Sequence, residues 1–417
     1  MQTTQGSQGM RNQQGNQLTR GTRELRRVVV TGVAPITPLG NSLTETWSNL
    51  LAGRSGISPI TKFDTTQFDT KFAGEIKNLD IDAYIPKKDQ RRMDTFIHYS
   101  MIATKQALQH AQLEITPERA EVTGTMIGVG MGGLPYIEEQ FAKMEQKGPG
   151  RITPFFIPAV ITNMASGQVS IEHGLKGVNF SITSACATGA HSIGEAFNSI
   201  RFGYHDIMVA GGAEATVCQT AIGGFGAMKA LSTRNDSPET ASRPYDKDRD
   251  GFVLSEGAGI LILEELGHAL ERGANILCEV TGYGVSSDAY HMTSPAPGGA
   301  GGAKAMSLAL KDAGLRPEDI QYMNPHATST PLGDELETQA IKSIFGDHAK
   351  KLWVNATKSM IGHTLGAAGA IESIICIMAL KDQISPPTIN LTNPSENCDL
   401  DYVRGEARSG KFEHALN

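Results

Sequence analysis

The sequence has few cysteines, no paired cysteine motif and no long hydrophobic run. Its five cysteines, at positions 186, 218, 278, 376 and 398, are an odd number and include no Cys-x-x-Cys pair. This pattern matches neither a disulfide framework nor a zinc site, and it predicts a protein of the reducing cytoplasm. No apolar run approaches the roughly 20 residues that a membrane-spanning helix needs, so we expect no membrane association.

Signals for a metal centre and for nucleic-acid binding are also absent. None of the 11 histidines forms an H-x-x-x-H or H-E-x-x-H pair, so the sequence predicts no metal site and no metal-dependent mechanism. The net charge of −7 and the pI near 5.9 argue against a surface that binds nucleic acid. The composition, 40% apolar and 19% charged over 417 residues, is typical of a globular chain with two core-forming units.

The N-terminal segment differs in composition from the rest. It is rich in Gln, Gly, Asn and Thr and has neither apolar periodicity nor the apolar core of a signal peptide. We predict a disordered leader over residues 1–25.

A glycine-rich run, Gly128-Val-Gly-Met-Gly-Gly133, formally matches the dinucleotide fingerprint G-x-G-x-x-G. It lies about 100 residues into the chain, and no acidic residue closes a second strand about 20 residues later, as ribose binding requires. The run therefore favours close packing of a glycine turn over nicotinamide or flavin binding.

The stretch Ser181-Ile-Thr-Ser-Ala-Cys-Ala-Thr-Gly-Ala-His-Ser-Ile-Gly194 is the centre of the argument. It follows a strand-like run and precedes a helical one, so Cys186 is predicted to lie at a helix start. Unpaired amides and the helix dipole there favour the thiolate, which is the nucleophilic form of cysteine. The alternative, that Cys186 is a small buried hydrophobe, stays open on position alone.

A second stretch, Trp353 to Ile374, parallels Val178 to Ile200 at an offset of about 175 residues. In both, a short strand enters a Thr/Ser-containing turn, and a helix of small residues closes on Ser-Ile. This repeat predicts duplication of an α/β unit, with halves at 26–275 (with insertions) and 276–417. Cys186 and the run from Lys358 to His363 are then expected to meet in one pocket.

Two histidines follow predicted strands, where α/β proteins place their ligands. His326 lies in Asn324-Pro-His-Ala-Thr-Ser-Thr330, and His363 ends Lys358-Ser-Met-Ile-Gly-His363. One such histidine is more often structural. Two of them, facing a cysteine from the matching turn, favour a catalytic site.

These motifs together resemble the β-ketoacyl-[acyl-carrier-protein] synthase II family of thiolase-like condensing enzymes. The resemblance runs from about Arg26 to the end and includes Ala210-Gly-Gly-Ala-Glu214 and the segment from Ser286 to Thr293. It implies an α/β, duplicated thiolase-like fold with two similar halves in a layered α-β-α-β-α arrangement. It also implies a homodimer that condenses acyl and malonyl groups of acyl carrier protein in fatty-acid elongation, without a redox cofactor.

The resemblance assigns roles to residues of this chain. Cys186 would form the acyl-enzyme, His326 and His363 would stabilise the enolate, and Lys358 would supply positive charge, paired with Asp334. The other implied residues are Thr328, Thr330 and Thr293 for substrate, with Met131, Ile157, Phe225 and Ala185 along the acyl tunnel; Glu372 and Asn324 for an ion or ordered water; and Lys87, Lys88, Arg91 and Arg92 for carrier-protein docking. Plain core or surface packing remains the alternative for this second group.

The match ends at Asn417, where the family continues with a Ser-Phe-Gly-Phe-Gly-Gly-Thr-Asn segment and a final strand. The sequence as written is therefore expected to lack the last strand of its second half and to be weakly active or inactive. The alternative functions are a polyketide ketosynthase, a degradative thiolase and a non-catalytic partner like a chain-length factor. Cys398 is followed by Asp399-Leu400 instead of the thiolase pattern Cys-x-Gly, and Cys186 argues against the non-catalytic partner.

Overall fold

The computed structural model describes residues 25–417, so the predicted leader lies outside the described residues except for Leu25. The strands are β1 (Val28–Ile36), β2 (Ser58–Pro59), β3 (Phe72–Ala73), β4 (Thr123–Gly128), β5 (Asn179–Phe180), β6 (Ile207–Glu214), β7 (Gly257–Glu265), β8 (Cys278–Val280), β9 (Tyr322–Met323), β10 (Trp353–Val354), β11 (Ile384–Ser385), β12 (Arg408–Ser409) and β13 (Ala415–Leu416).

The α-helices are α1 (Leu43–Leu51), α2 (Lys87–Gln90), α3 (Thr95–His110), α4 (Pro117–Val122), α5 (Leu134–Lys147), α6 (Phe156–Val160), α7 (Met164–His173), α8 (Thr188–Arg201), α9 (Gln219–Ala227), α10 (Leu266–Glu271), α11 (Ala300–Ala313), α12 (Pro331–Phe345), α13 (Lys358–Ile361) and α14 (Ala368–Asp382). In the described part of the chain, no helix has both the length and the apolar character that a bilayer crossing requires.

The larger sheet is buried on both faces. Its strand order is β5-β4-β6-β7-β1-β8, with β4 parallel to β5 and β6 and the other pairs antiparallel. Successive side chains of a strand point to opposite faces, and the packing follows this alternation. Ile260 and Ile262 pack with α3 and α7, whereas Leu261 and Leu263 pack with α8 and α14 on the other face.

A second, smaller sheet has the order β10-β9-β13, with both pairs parallel. Its two faces are distinguished by adjacent residues of β9, because Tyr322 packs in the core that contains α8 and α14, whereas Met323 packs with α11 and α12. The layers therefore follow in the order helix, sheet, helix, sheet, helix. This arrangement confirms the layered α/β fold that the sequence predicted.

Three local features add detail to this fold. The basic segment from Lys87 forms two helices, α2 and α3, because Asp94 caps a new helix by accepting a hydrogen bond from the amide of Phe96. Asp94 also accepts from the amide of Tyr136 in α5. Residues 216–250 contain α9, whose Ala221 packs in the core. Strand β8, which follows the predicted boundary between the halves, pairs with β1 in the larger sheet.

Helices α8 and α14 approach each other closely at their first turns, where glycine removes the side chain. A Cβ atom on Gly189 would lie 2.8 Å from the amide nitrogen of Ala370 and 3.0 Å from the carbonyl oxygen of Gly366. A Cβ atom on Gly369 would lie 2.7 Å from the amide nitrogen of Ala190. The two repeated helix starts therefore touch through backbone atoms.

We predict that Gly189→Ala lowers the free energy of unfolding by about 1–3 kcal/mol, because the added methyl group overpacks this contact. The shift in the midpoint of urea denaturation measures this loss of stability. Gly224→Ala is the matched control: Gly224 lies inside α9, and a Cβ atom added there would meet no atom within 4 Å, so alanine should stabilise by about 0.5–1 kcal/mol. Equal effects of the two substitutions would contradict the prediction.

Candidate active site

Cys186 lies in a 3₁₀ turn, Ala185–Ala187, that leads directly into α8. Ala185 adopts a φ angle of 50°, which is uncommon for a residue with a side chain and often marks a functional constraint. The amide of Ser184 donates a hydrogen bond to Oγ1 of Thr188 at 2.8 Å and so fixes the entry to the helix. The cysteine is thus held at a helix start, as the sequence predicted.

The second half contains the same local structure. The 3₁₀ turn Leu365–Ala367 leads into α14, and Leu365 has a φ angle of 48°. Leu365 is therefore the structural equivalent of Ala185. The predicted run from Lys358 to His363 precedes this turn instead of forming it.

The three predicted reactive side chains meet at these turns. Nε2 of His363 lies 2.9 Å from Sγ of Cys186, and the rings of His326 and His363 are 5.2 Å apart, edge to face. One nitrogen of each histidine and the cysteine sulfur all lie within 4.8 Å of one another. A single thioester group can therefore contact all three, which was the geometric requirement of the predicted mechanism.

His363 is fixed by contacts with the first half. Its amide donates to the carbonyl oxygen of Val253 at 2.8 Å, and its carbonyl oxygen accepts from the amide of Ser255 at 2.9 Å. The ring of Phe252 packs edge-on against the imidazole at 5.3 Å. The position of the imidazole relative to Cys186 is thus set by the interface between the halves.

His326 lies on a backbone loop that two acidic residues of α12 hold. Glu337 accepts from the amides of His326 and Ala327 at 2.7 and 2.8 Å. Asp334 accepts from the amides of Ser329 and Thr330 at 3.1 and 3.3 Å. Ala327 and Ser329 have φ angles of 35° and 70°, so these hydrogen bonds stabilise an unfavourable backbone conformation.

Lys358 is buried and forms an ion pair with Glu372. The predicted pairing of Lys358 with Asp334 is wrong, because Asp334 is 3.6 Å from Nε of Arg249 and accepts from the amide of Tyr245. Burial raises the pKa of Glu372 to about 7, against the opposing effect of Lys358. The carboxyl is therefore only partly ionised at neutral pH, and this ionisation depends on the lysine.

The protonation state of the site differs from the expectation for a helix start. Burial raises the pKa of Cys186 to about 11, and the positive charge of Lys358 offsets only part of this. Burial, His326 and Lys358 lower the pKa of His363 well below its ordinary value, and dense protein surroundings together with Lys358 lower that of His326, although His326 is accessible to solvent. The resting cluster is a neutral thiol beside two neutral imidazoles.

The glycine run that resembled a dinucleotide fingerprint has a structural role. Glu214, at the end of β6, accepts from the amides of Gly130 and Met131 at 3.0 and 3.2 Å and from that of Gly366 at 3.1 Å. The amides of Gly130 and Met131 that a phosphate would need are therefore already occupied. Glu214 therefore links the turn at Gly130 to the turn at Gly366, which is the counterpart of the Cys186 turn in the second half. This agrees with the predicted role of the glycine run in close packing.

Comparisons with known proteins agree with this site. The family model for the beta-ketoacyl synthase N-terminal domain matches residues 25–269, and that for the C-terminal domain matches residues 277–392. The chain is 53% identical to 3-oxoacyl-[acyl-carrier-protein] synthase 2 of Vibrio cholerae over 393 residues, and 50% identical to that of Coxiella burnetii over 394; each match covers 94% of this chain and 95% of the relative.

Solved structures give the same result. A type II polyketide ketosynthase in complex with its acyl carrier protein superposes with a TM-score of 0.87 at 32% identity, covering 94% of this chain and 95% of that one. A beta-ketoacyl synthase from Burkholderia phymatum superposes with a TM-score of 0.86 at 36% identity, covering 93% of this chain and 95% of that one.

The chain belongs to the beta-ketoacyl synthase family.

In this beta-ketoacyl synthase, the residues predicted to line the acyl tunnel differ in exposure. Phe225 packs at 5.3 Å against Phe252 in an apolar cluster that also contacts Cys186. Met131 and Ile157, the latter on α6, are both exposed, Ile157 to 61%. Phe225 thus packs against the same apolar cluster as the cysteine, and the tunnel roles of all three residues stay predictions.

The polar residues of the synthase that were predicted to bind substrate or an ion lie in different parts of the structure. Oγ1 of Thr328 and Oγ1 of Thr330 are 3.2 Å apart on the His326 loop. Thr293 is exposed on another loop, where its amide donates to Nδ1 of His291. Asn324 donates from Nδ2 to Thr357 at 3.1 Å, and its buried Oδ1 has no hydrogen-bond partner in the described part of the chain. An ion or water at Asn324 stays a prediction.

The basic cluster predicted for docking lies at the surface of the synthase. Lys87, Lys88, Arg91 and Arg92 are all exposed, on α2 and the turn after it. Lys87 pairs with Asp82 at 3.1 Å, and Arg92 with Asp89 at 3.5 Å. Within residues 25–417, Lys88 and Arg91 form no ion pair, so their charges are available to an acidic partner.

Sequence reasoning assigned no role to Glu337 or Phe252 and noted Glu214 only inside a family motif. All three contribute through tertiary contacts. Glu337 and Glu214 accept hydrogen bonds from backbone amides of other segments, and Phe252 packs against the imidazole ring of His363. The spacing of Asp334 and Glu337, three residues apart on one helix face, was the one available signal for the clamp on the His326 loop.

We predict that Lys358→Met extends to higher pH the range over which stability falls as pH rises. In the wild type, the pKa of Glu372 is already raised to about 7, so the folded state holds a proton that the unfolded state releases above about pH 4–5. Without the lysine this pKa rises further, so the free energy of unfolding should keep decreasing above about pH 7, by about 1.4 kcal/mol per pH unit up to the new folded-state pKa, measured by urea denaturation. The control is the double variant Lys358→Met/Glu372→Gln, which should lose this slope. A slope that persists in the double variant would contradict the assignment.

Proposed function

We propose that the chain catalyses the decarboxylative Claisen condensation of acyl-[acyl-carrier-protein] with malonyl-[acyl-carrier-protein] in fatty-acid elongation. The observation that carries this proposal is the cluster of Cys186, His326 and His363 within reach of one thioester. The curated relatives at about 50% identity, named 3-oxoacyl-[acyl-carrier-protein] synthase 2, support the choice of substrates. A protein-bound cofactor is not required, because both substrates carry their reactive thioesters on the phosphopantetheine of the carrier protein.

In the first half-reaction, Sγ of Cys186 attacks the acyl carbonyl carbon. Its proton passes to Nε2 of His363, which is neutral and 2.9 Å away. The bond from the carbonyl carbon to the phosphopantetheine sulfur breaks, and the leaving thiolate takes up this proton from His363, which returns to its neutral form. The product is an acyl-Cys186 thioester beside an apolar cluster suited to an acyl chain.

In the second half-reaction, malonyl thioester loses carbon dioxide, and the electron pair of the broken bond forms an enolate. His326 and His363, both neutral, each donate one N–H to the negative oxygen, His363 as the tautomer that carries its proton on Nε2. The enolate carbon attacks the carbonyl carbon of acyl-Cys186, and the cysteine leaves as a thiolate that takes up a proton from solvent. The released product is a 3-oxoacyl-[acyl-carrier-protein].

Mass spectrometry of the full chain after incubation with acyl carrier-protein thioester tests the nucleophile. We expect one acyl adduct on Cys186, and none in Cys186→Ala. His326→Ala should retain the adduct but lose malonyl decarboxylation by about 10²–10³-fold, since one oxyanion donor is removed. His173→Ala, a histidine at the end of α7, is the control. An adduct on another cysteine would overturn the proposal.

We further propose that the basic cluster docks the acidic carrier protein. The structure of a related ketosynthase in complex with its acyl carrier protein supports such a partner. Exposed charges raise association rates and act over about 10 Å or less at 0.1 M salt. The contribution should therefore decline as salt is added.

We predict that Lys88→Glu/Arg91→Glu raises the KM for carrier-protein substrates about tenfold or more at low salt and leaves the KM for a small acyl thioester unchanged. The difference should shrink at high salt. Lys350→Glu/Lys351→Glu, an equal charge change at another exposed site, is the matched control. Equal effects of the two pairs would place the docking surface elsewhere.

The protein is also proposed to act as a homodimer in the cytoplasm. Strand β5 forms an edge of the larger sheet, and its Phe180 is 59% exposed, as expected for an edge that pairs with a second copy. All five cysteines are free thiols, which fits a reducing compartment. A polyketide ketosynthase is the second candidate, supported by the structure of a ketosynthase with its type II polyketide acyl carrier protein at 32% identity; product analysis of the condensation separates the two.

A further inference from the structure

The reactive cluster has the composition of a zinc site. Among the described residues, one group of His, Cys and acidic side chains brings its ligand atoms close enough to share an ion: Cys186, His326 and His363. A thiolate with two imidazoles is a ligand set that Zn²⁺ accepts with tetrahedral geometry. We propose that these three side chains bind Zn²⁺ reversibly and that the bound ion inhibits the enzyme. The inhibition, but not the binding, rests on the proposed function.

The distances are close to those that zinc requires. With Zn–S and Zn–N bonds of about 2.3 and 2.0–2.1 Å, tetrahedral ligands are separated by about 3.3–3.6 Å. Sγ of Cys186 and Nε2 of His363 are 2.9 Å apart, and no pair of the three ligand atoms exceeds 4.8 Å. Shifts of about 1 Å therefore suffice, and the exposure of His326 gives the ion a path from solvent.

The local charge does not prevent binding. The nearby cation, Lys358, is buried in an ion pair with Glu372, so its charge is partly offset. The ion binds as Zn²⁺ replaces the thiol proton: a Zn–S bond forms, the S–H bond breaks, and one proton is released to solvent. Three protein ligands leave the fourth position for water.

The site lacks the support of a structural zinc centre. Zinc-binding histidines usually donate their second ring N–H to a carboxylate or a carbonyl, and loss of such a partner typically weakens metal affinity about 10–100-fold. Nδ1 of His363 is buried and has no hydrogen-bond partner within residues 25–417. We therefore expect reversible binding. Bound zinc would occupy the sulfur and both nitrogens that acyl transfer and decarboxylation need, so it would inhibit catalysis.

The binding test uses the full chain with ZnCl₂ in isothermal titration calorimetry, and with CoCl₂ as the spectroscopic probe. We expect one ion per chain, release of one proton, visible tetrahedral Co²⁺ bands and a thiolate-to-cobalt charge-transfer band. Cys186→Ala should abolish the charge-transfer band, and His326→Ala and His363→Ala should each weaken Zn²⁺ binding at least about tenfold. Cys278→Ala and His173→Ala are matched controls that should bind as wild type. Circular dichroism verifies that each variant is folded.

Two further measurements separate this inference from the proposed function. Zn²⁺ should slow alkylation of Cys186 by iodoacetamide at least tenfold, with recovery after EDTA, whether or not condensation occurs. In the condensation assay, Zn²⁺ should inhibit and EDTA should restore the rate. Zinc affinity that is unchanged in Cys186→Ala would overturn the site, and zinc binding without protection of Cys186 or loss of rate would overturn the inhibition. If the chain binds zinc but catalyses no condensation when zinc has been removed, this result would instead contradict the proposed function.

Discussion

The turn Leu365–Ala367 packs backbone to backbone against strand β6 and the glycine run of the first half, and the geometry of the site depends on this contact. A Cβ atom on Gly366 would lie 2.5 Å from the amide nitrogen of Gly130, and one on Gly212 would lie 2.4 Å from the carbonyl oxygen of Gly366. Glu214 accepts hydrogen bonds at the same point. Because main chains meet there without intervening side chains, Cys186 from one half and His363 from the other come within hydrogen-bond distance.

Electrostatics at the site follow from burial more than from the helix dipole. The dipole at a helix start is usually worth less than about 1 kcal/mol at an exposed position and about 2 at a partly buried one, whereas full burial can shift a pKa by 3–5 units. The pKa of Cys186 accordingly lies above its ordinary value in spite of the helix start. A neutral thiol beside the neutral His363 fits the proposed mechanism, in which the nucleophile forms by proton transfer as the acyl group arrives.

The strained loop that carries His326 illustrates how the rest of the protein maintains this geometry. Two acidic side chains on α12 accept hydrogen bonds from backbone amides of this loop. The buried Arg249 donates a hydrogen bond from Nε to the carbonyl oxygen of Thr330 at 2.9 Å. Positive φ angles at Ala327 and Ser329 cost free energy that these hydrogen bonds offset. Residues 243–250, which have few regular elements, therefore support the active site from the first half.

The sequence by itself determined the layered α/β class, the helix start at Cys186 and the histidines after strands, because strand alternation, small-residue turns and family motifs are local or repeated patterns. It also determined that both halves contribute to one site, through the repeat. Only the tertiary structure decided that Lys358 pairs with Glu372 instead of Asp334, that Glu214 fills the glycine turn and that Glu337 holds His326. Each of these is a contact between different segments of the chain, 11 to 84 residues apart, and the same burial that accompanies them raises the pKa of Cys186. Periodicity carries no information about such pairings, since the partner of a buried charge depends on which surfaces the folded layers bring together.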